Sequence, residues 1–251
     1  MAAISPFASF RDIPGVTAQE IAAIEALQNR SLIFGTPAST EAFIDGNGNY
    51  GGYIARYCDW LTSLLGIRVT PEVFIFSDMM DKLTSRELDF GIVRDREELR
   101  KEYFLTDAIG QRMIIMMRIR GSDGINTISM TRLPRYIFLR ASSTYDMVSA
   151  ALASGTYEAL FAANYEAAYA MLKRGEADAL IEANIIEGSF ERYGDAYAEN
   201  FLPLLFNPIN MITAKAELEP VISVVTKALR NGAMSYLIRL YEEGHRDYMK
   251  H

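Results

Sequence analysis

The strongest constraint on the fold is a unit that occurs twice. Each copy is a short helix ending in leucine, a polar turn, and an aspartate that opens a brief apolar strand. Met80–Val93 reads MDKLTSRELDFGIV and Tyr169–Glu182 reads YAMLKRGEADALIE; Leu83 precedes Asp89, and Leu172 precedes Asp178, by six residues. A helix that returns the chain to the starting end of a sheet lets successive strands pair in parallel. The recurrence after about 90 residues predicts two lobes of similar build rather than one large sheet, although unrelated α/β chains also repeat such units by chance.

The rest of the chain alternates in the same way. Thr17-Ala-Gln-Glu20 is a capping box, in which the threonine hydroxyl and the glutamate carboxylate satisfy each other's free amides. It opens a helix within Ile13–Asn29 that carries Ile21, Ile24 and Leu27 on one face. A strand over Ser31–Phe34 ends at Gly35-Thr36-Pro37. A helix over Tyr53–Leu65 is closed by Gly66, and a strand over Arg68–Phe74, a helix over Ser77–Thr84 and a strand over Asp89–Val93 follow. Met113–Ile119 and Tyr136–Leu139 read as strands, and Phe201–Thr213 is a further apolar stretch. Helices over Pro220–Leu229 and Ala233–Glu243 carry aliphatic and aromatic residues at helical spacing, which is a core stripe. The whole predicts an α/β fold with largely parallel pairing.

Composition removes several functions. The 251 residues are 50% hydrophobic and 23% charged, enough to bury roughly 70–75% of the unfolded surface without disulfide or metal staples. With 25 Lys and Arg scattered among 32 Asp and Glu, net charge −7, the chain lacks the concentrated basic surface that nucleic acid requires. The single cysteine, Cys58, and two histidines confined to the tail, His245 and His251, leave no material for a zinc site or a histidine-dependent triad, so no metal and no cofactor is expected. No apolar run approaches the ~20 residues that cross a bilayer. Met1–Phe10 lacks the cationic and apolar blocks of a secretory leader; an exported form would have lost its leader already.

The order of motifs resembles the type 2 (amino-acid-binding) periplasmic solute-binding family. The resemblance is carried by Gly35-Thr36, Gly52-Tyr53, Leu65-Gly66, Glu87-Leu88-Asp89, Glu98-Leu99-Arg100, Phe104-Leu105-Thr106-Asp107 and Ala141-Ser142-Ser143-Thr144. The lead-in Asp12–Glu20 and the tail from Leu218 to Tyr248 are similar to the sensor domains that precede a membrane helix in bacterial histidine kinases and diguanylate cyclases. No kinase or cyclase signature is present. The resemblance implies a bilobed fold, each lobe a central mixed sheet flanked by helices, joined by two hinge strands. Lobe one would comprise residues 1–108 plus 209–251, and lobe two residues 109–208. It also implies a ligand in the interlobe cleft, a periplasmic location, membrane attachment only through a flanking helix, and dimers in the full-length protein.

Candidate ligand contacts follow from that frame. Arg94 ends a strand, where open α/β sheets bind ligands. Arg100 occupies the family's carboxylate-holding position, for which a guanidinium fork suits two oxygens; an exposed arginine in an ion-paired turn is the alternative. Ser142, Ser143 and Thr144 lie between a strand and a helix, where hydroxyls and free amides suit an anion or serve as a helix cap. Glu182 is placed to take a ligand ammonium, although the family's aspartate falls one residue later, at Ala183. Phe76 and Phe43 are candidate aromatic walls, with core packing the alternative. The expected function is a non-enzymatic sensor of an amino acid or small anionic metabolite. The alternatives are a free solute-binding subunit of an uptake transporter, or a degenerate sensor that answers to a protein partner.

Overall fold

The computed structural model describes residues 4–140 and 142–251, so Ala141 of the loop motif lies outside the described residues. Contacts divide the chain into two compact units, one containing the chain up to Gln111 and again from Pro208, the other Arg112–Asn207.

In the first unit the capping box starts α1 (Ala18–Glu25): Thr17 Oγ1 accepts from the Glu20 amide at 3.2 Å while Glu20 Oε2 accepts from the Thr17 amide at 2.7 Å. β1 (Ser31–Pro37) is followed by a small hairpin, β2 (Phe43–Ile44) and β3 (Tyr50–Gly51), then α2 (Tyr53–Leu65). Gly66 ends α2 in the left-handed conformation, φ 67°, which costs glycine nothing. β4 (Arg68–Phe74) pairs in parallel with β1 along its whole length. α3 (Phe76–Thr84) leads to β5 (Gly91–Val93), which meets β1 through a parallel bridge at Phe34 and Phe90. α4 (Glu97–Glu102) precedes β6 (Phe104–Ile119), a long strand carrying residues of both units.

The second unit continues with α5 (Ile125–Ser129), β7 (Arg135–Leu139), α6 (Thr144–Ala151), β8 (Glu158–Ala162), α7 (Tyr165–Lys173), β9 (Ala179–Ala183), α8 (Glu187–Phe190) and β10 (Ala196–Asn200). β7 lies between β8 and β9, parallel to both, whereas β6 runs antiparallel to β9 and β10. Alternation along β6 builds a core on each face: Ile115 and Met117 join Leu172, Leu180 and Phe190, while Ile114 and Met116 join Phe138, Val148 and Ile181. β11 (Phe206–Thr213) then pairs antiparallel with β5. α9 (Glu219–Ala228) and α10 (Met234–Tyr248) close the chain, and Val221, Val224, Val225 and Leu237 are buried in the first unit's core. Their spacing in sequence predicts that burial.

Two expectations are corrected. Pairing is mixed rather than largely parallel, because β6, β10 and β11 run against their neighbours. Apolar spacing locates a strand, but the connection that feeds it sets its direction, and no crossover helix is required for an antiparallel neighbour. The strand expected from Asp89 starts at Gly91. β8 and β10, which no apolar pattern announces, are edge strands with largely polar or half-exposed residues.

The repeated aspartates do equivalent work in the two units. Asp89 accepts the Ile33 amide of β1 at 2.9 Å and the Lys215 ammonium at 2.7 Å. Asp178 accepts the Arg135 amide of β7 at 2.8 Å and both guanidinium nitrogens of Arg132 at 2.7 Å. Each carboxylate satisfies an amide of the parallel neighbour where the ladder starts. These aspartates brace the sheets.

Candidate functional site

Parallel strands bring their C-terminal ends to one edge of a sheet, and loops at that edge are where α/β folds hold ligands. In the first unit the edge is formed by Pro37, Phe74 and Val93. Arg94 follows directly and is half-buried. Phe76, the first residue of α3, is 55% exposed at the same edge, so it is not a core residue. Arg100 lies on α4 with its fork filled: Nε donates to Asp95 at 2.8 and 3.0 Å and Nη2 at 2.6 Å. Those bonds hold its pKa above the ordinary arginine value. A ligand carboxylate there would have to displace Asp95. Phe43 stands apart from these groups and packs on the end of α10, edge-on to Tyr248 with centroids 5.5 Å apart and stacked on His251 at 4.8 Å.

The second unit concentrates more chemistry. β7, β8 and β9 end at Leu139, Ala162 and Ala183, which puts Ser142, Ser143, Thr144, Tyr165, Glu182 and Asn184 at one edge. Thr144 is the first residue of α6 and is buried, and Glu182 is 7% exposed. Thr144 Oγ1 donates to Glu182 Oε1 at 2.8 Å, and the Ala183 amide donates to the same oxygen at 2.8 Å. Ser142 Oγ lies 2.8 Å from Thr144 Oγ1 and accepts from the Thr144 amide at 3.2 Å. Because the Thr144 proton is committed to Glu182, the Ser142 hydroxyl is the donor in that pair. The result is a chain of hydroxyls aimed at one carboxylate, each bond polarising the next. Ser143 is half-buried at the helix N-cap position. Asn184 is buried just beyond the end of β9.

Sequence reasoning missed Tyr165, although Asn164 just before it is a helix-start signal: its side chain accepts from the Ala167 amide at 2.9 Å as the N-cap of α7. Burial, the larger cause, and the Glu182 charge together push the Tyr165 phenol up to about 12 against the opposing charge of Arg112. Tyr165 therefore stays neutral beside Glu182. Among the described residues no cluster of three or more His, Cys, Asp or Glu could hold a metal, and no helix is long and apolar enough to cross a membrane.

No family model and no curated protein matches the chain. Solved structures do. The periplasmic VFT2 domain of BvgS from Bordetella pertussis is similar over 92% of this chain and 99% of its own length, with TM-score 0.68 and 16% identity. An amino acid ABC transporter substrate-binding protein from Streptococcus pneumoniae, bound to L-arginine, is similar over 90% and 98%, with TM-score 0.59 and 15% identity. An ancestral arginine-binding protein bound to arginine matches over 85% and 97%, with TM-score 0.57 and 19% identity. The chain thus has the fold of the type 2 periplasmic binding proteins, an α/β class shared by sensor domains and free solute-binding proteins.

Proposed function

We propose that this chain is the extracytoplasmic sensing domain of a bacterial signal-transduction protein and binds a small polar metabolite, with amino acids among the candidates. Residues 1–108 with 209–251 act as one lobe and residues 109–208 as the other. Each lobe offers candidate ligand contacts at its own C-terminal strand edge: Arg94 and the exposed Phe76 in the first, and the Ser142–Thr144–Glu182 group in the second. The observation that carries this reading is the buried carboxylate of Glu182, held by the Thr144 hydroxyl and the Ala183 amide at the edge where this fold class takes its ligands. The arginine-bound transporter protein favours a second reading, a free solute-binding subunit. The stretch of gene downstream separates the two: a membrane helix and output domain, or a stop codon.

A thermal-shift screen of amino acids, carboxylates, phosphorylated metabolites and polyamines tests the proposal. Ligand at 100 times its Kd adds ~2.7 kcal/mol, a rise of ~5–10 °C for a chain of this size. The rise should disappear in Arg94→Ala or Glu182→Gln. Absence of any shift, together with no co-purified molecule in denaturing mass spectrometry, would refute it.

A further inference from the structure

We infer that the second unit carries a separate binding site, for a small monocarboxylate with a short apolar body, at the edge of its sheet opposite Glu182. The inference goes beyond the proposed function and does not depend on it, since its residues lie at the other end of the strands.

β6 ends at Ile119, and β7 and β9 begin at Arg135 and Ala179. Against that edge lies a cavity of about 190 Å³, whose lining includes Ser122, Ile128, Arg135, Leu172, Ala177 and Asp178. Asp178, just before β9, and Glu182, near its end, are four residues apart, ~13 Å along an extended chain. The two edges are therefore distinct places on one strand. A water takes ~30 Å³ of liquid, so the cavity has room for roughly six waters, or for a ligand of about six non-hydrogen atoms such as butyrate.

Three observations assign the ligand chemistry. First, Arg135 has donors to spare. Of its guanidinium nitrogens only Nη2 is hydrogen-bonded among the described residues, to the Gly175 carbonyl at 2.9 Å. Its Nε is buried without a hydrogen-bond partner. Asp178 Oδ2 is 3.8 Å from that nitrogen, beyond hydrogen-bonding range, and already accepts from Arg132 at 2.7 Å and from the Arg135 amide at 2.8 Å. A buried N–H left unpaired is costly, and a carboxylate is the acceptor that a guanidinium suits best. Second, the charges limit the ligand to one negative charge. Arg132 is committed to both oxygens of Asp178, which leaves Arg135 as the available cation, and Asp123 adds a carboxylate to the lining. A dicarboxylate or a phosphate would set a second negative charge against a single uncommitted cation. Third, the wall is preformed. Arg118, 1% exposed, donates to the Ser122 hydroxyl at 3.4 Å and to the Asp123 carbonyl, so the loop between β6 and α5 is fixed before any ligand arrives and little freedom is lost on binding. Ile128, Leu172 and Ala177, all buried, offer an apolar surface to an alkyl body.

The test is titration of the whole chain with butyrate, followed by calorimetry and by amide chemical shifts, with succinate, inorganic phosphate and uncharged butyramide as comparison probes. Butyrate should bind, succinate and phosphate should bind roughly tenfold more weakly or worse, and butyramide should not bind. The shifts should centre on the amides of Asp123, Arg135, Gly175 and Asp178. Arg135→Gln should weaken butyrate by roughly tenfold or more, the loss of a charge-assisted bond. Ser122→Leu, which narrows the cavity and leaves Arg135 intact, should weaken it too, and serves if the glutamine variant does not fold. Four results would overturn the inference: no binding of butyrate, unchanged affinity in the folded variants, preference for succinate or phosphate, or shifts centred on Thr144 and Ala183. The last would put butyrate at the edge invoked in the proposed function. The other three leave that reading to the thermal-shift screen and the Glu182 variant.

Discussion

Replacing Gly244 by alanine should destabilise the first unit, against the sign that helix propensity dictates. Gly244 lies inside α10, where alanine in place of glycine ordinarily gains ~1 kcal/mol. Here a methyl group would run into the backbone of the start of α2. It would meet the Tyr53 amide nitrogen, the Tyr53 Cα at 2.6 Å and the Gly52 carbonyl carbon at 2.7 Å. Backbone cannot rotate aside as a flexible side chain can. α10 would have to lift off α2. That would loosen the Arg56 bonds to Glu243 and Asp247 at 3.0 and 2.7 Å, the Tyr53–Tyr241 ring contact at 5.0 Å and the Tyr241–Glu41 bond at 2.8 Å. Overpacking costs ~1–3 kcal/mol when side chains can yield, and an obstacle made of backbone places this case at or above the upper end. Net of propensity, we expect a loss of ~2–3 kcal/mol, or a Tm lowered by ~4–12 °C. Circular dichroism melts of Gly244→Ala beside Glu242→Ala, an exposed control on the same helix, would measure it. An unchanged or raised Tm in Gly244→Ala would refute the close-approach argument.

Other perturbations follow from single groups. Glu20 is held at about 2: burial alone would raise its pKa, but bonds from Lys227, Ser223 and Thr17 outweigh that effect. A carboxyl depressed in the folded state stabilises above its unfolded pKa and loses that contribution as pH falls towards 2. Lys227→Met should therefore cost ~1–2 kcal/mol at pH 7, discounted because Lys227 is 28% exposed and water screens the pair. The cost should shrink near pH 2, and paired urea titrations at the two pH values would show it. Arg118 is 1% exposed and bonds Glu199 at 3.1 Å, the Asp178 carbonyl at 3.2 Å and the Asp123 carbonyl. Arg118→Met should cost ~3 kcal/mol, the lower end for a broken buried pair, since Glu199 is 44% exposed and can rehydrate; a midpoint within error of wild type would contradict this. Asp89→Ala and Asp178→Ala should each lose ~2–3 kcal/mol by orphaning a strand amide and a cation, read as lowered chemical-denaturation midpoints.

Sequence by itself determined the features that a few consecutive residues can encode. The Thr17–Glu20 box, the helix over Tyr53–Leu65 with its Gly66 stop and the strand over Arg68–Phe74 are all found at the predicted residues, because caps, glycine stops and periodic apolar spacing act within one or two turns. The matched aspartates Asp89 and Asp178 were legible for the same reason, since their place relative to the preceding helix is fixed by a short turn. Only the tertiary structure decided which groups meet. Strand direction in β6, β10 and β11 depends on segments far apart in sequence. Tyr165 feels the charge of Glu182 only because β8 and β9 end at the same edge, and Arg100 pairs with Asp95. The hydroxyls of Ser142 and Thr144 look from sequence like donors for an anion, yet in the fold they serve a carboxylate 38 residues away. A residue type states what a side chain can bond, and packing of distant segments determines which partner it has.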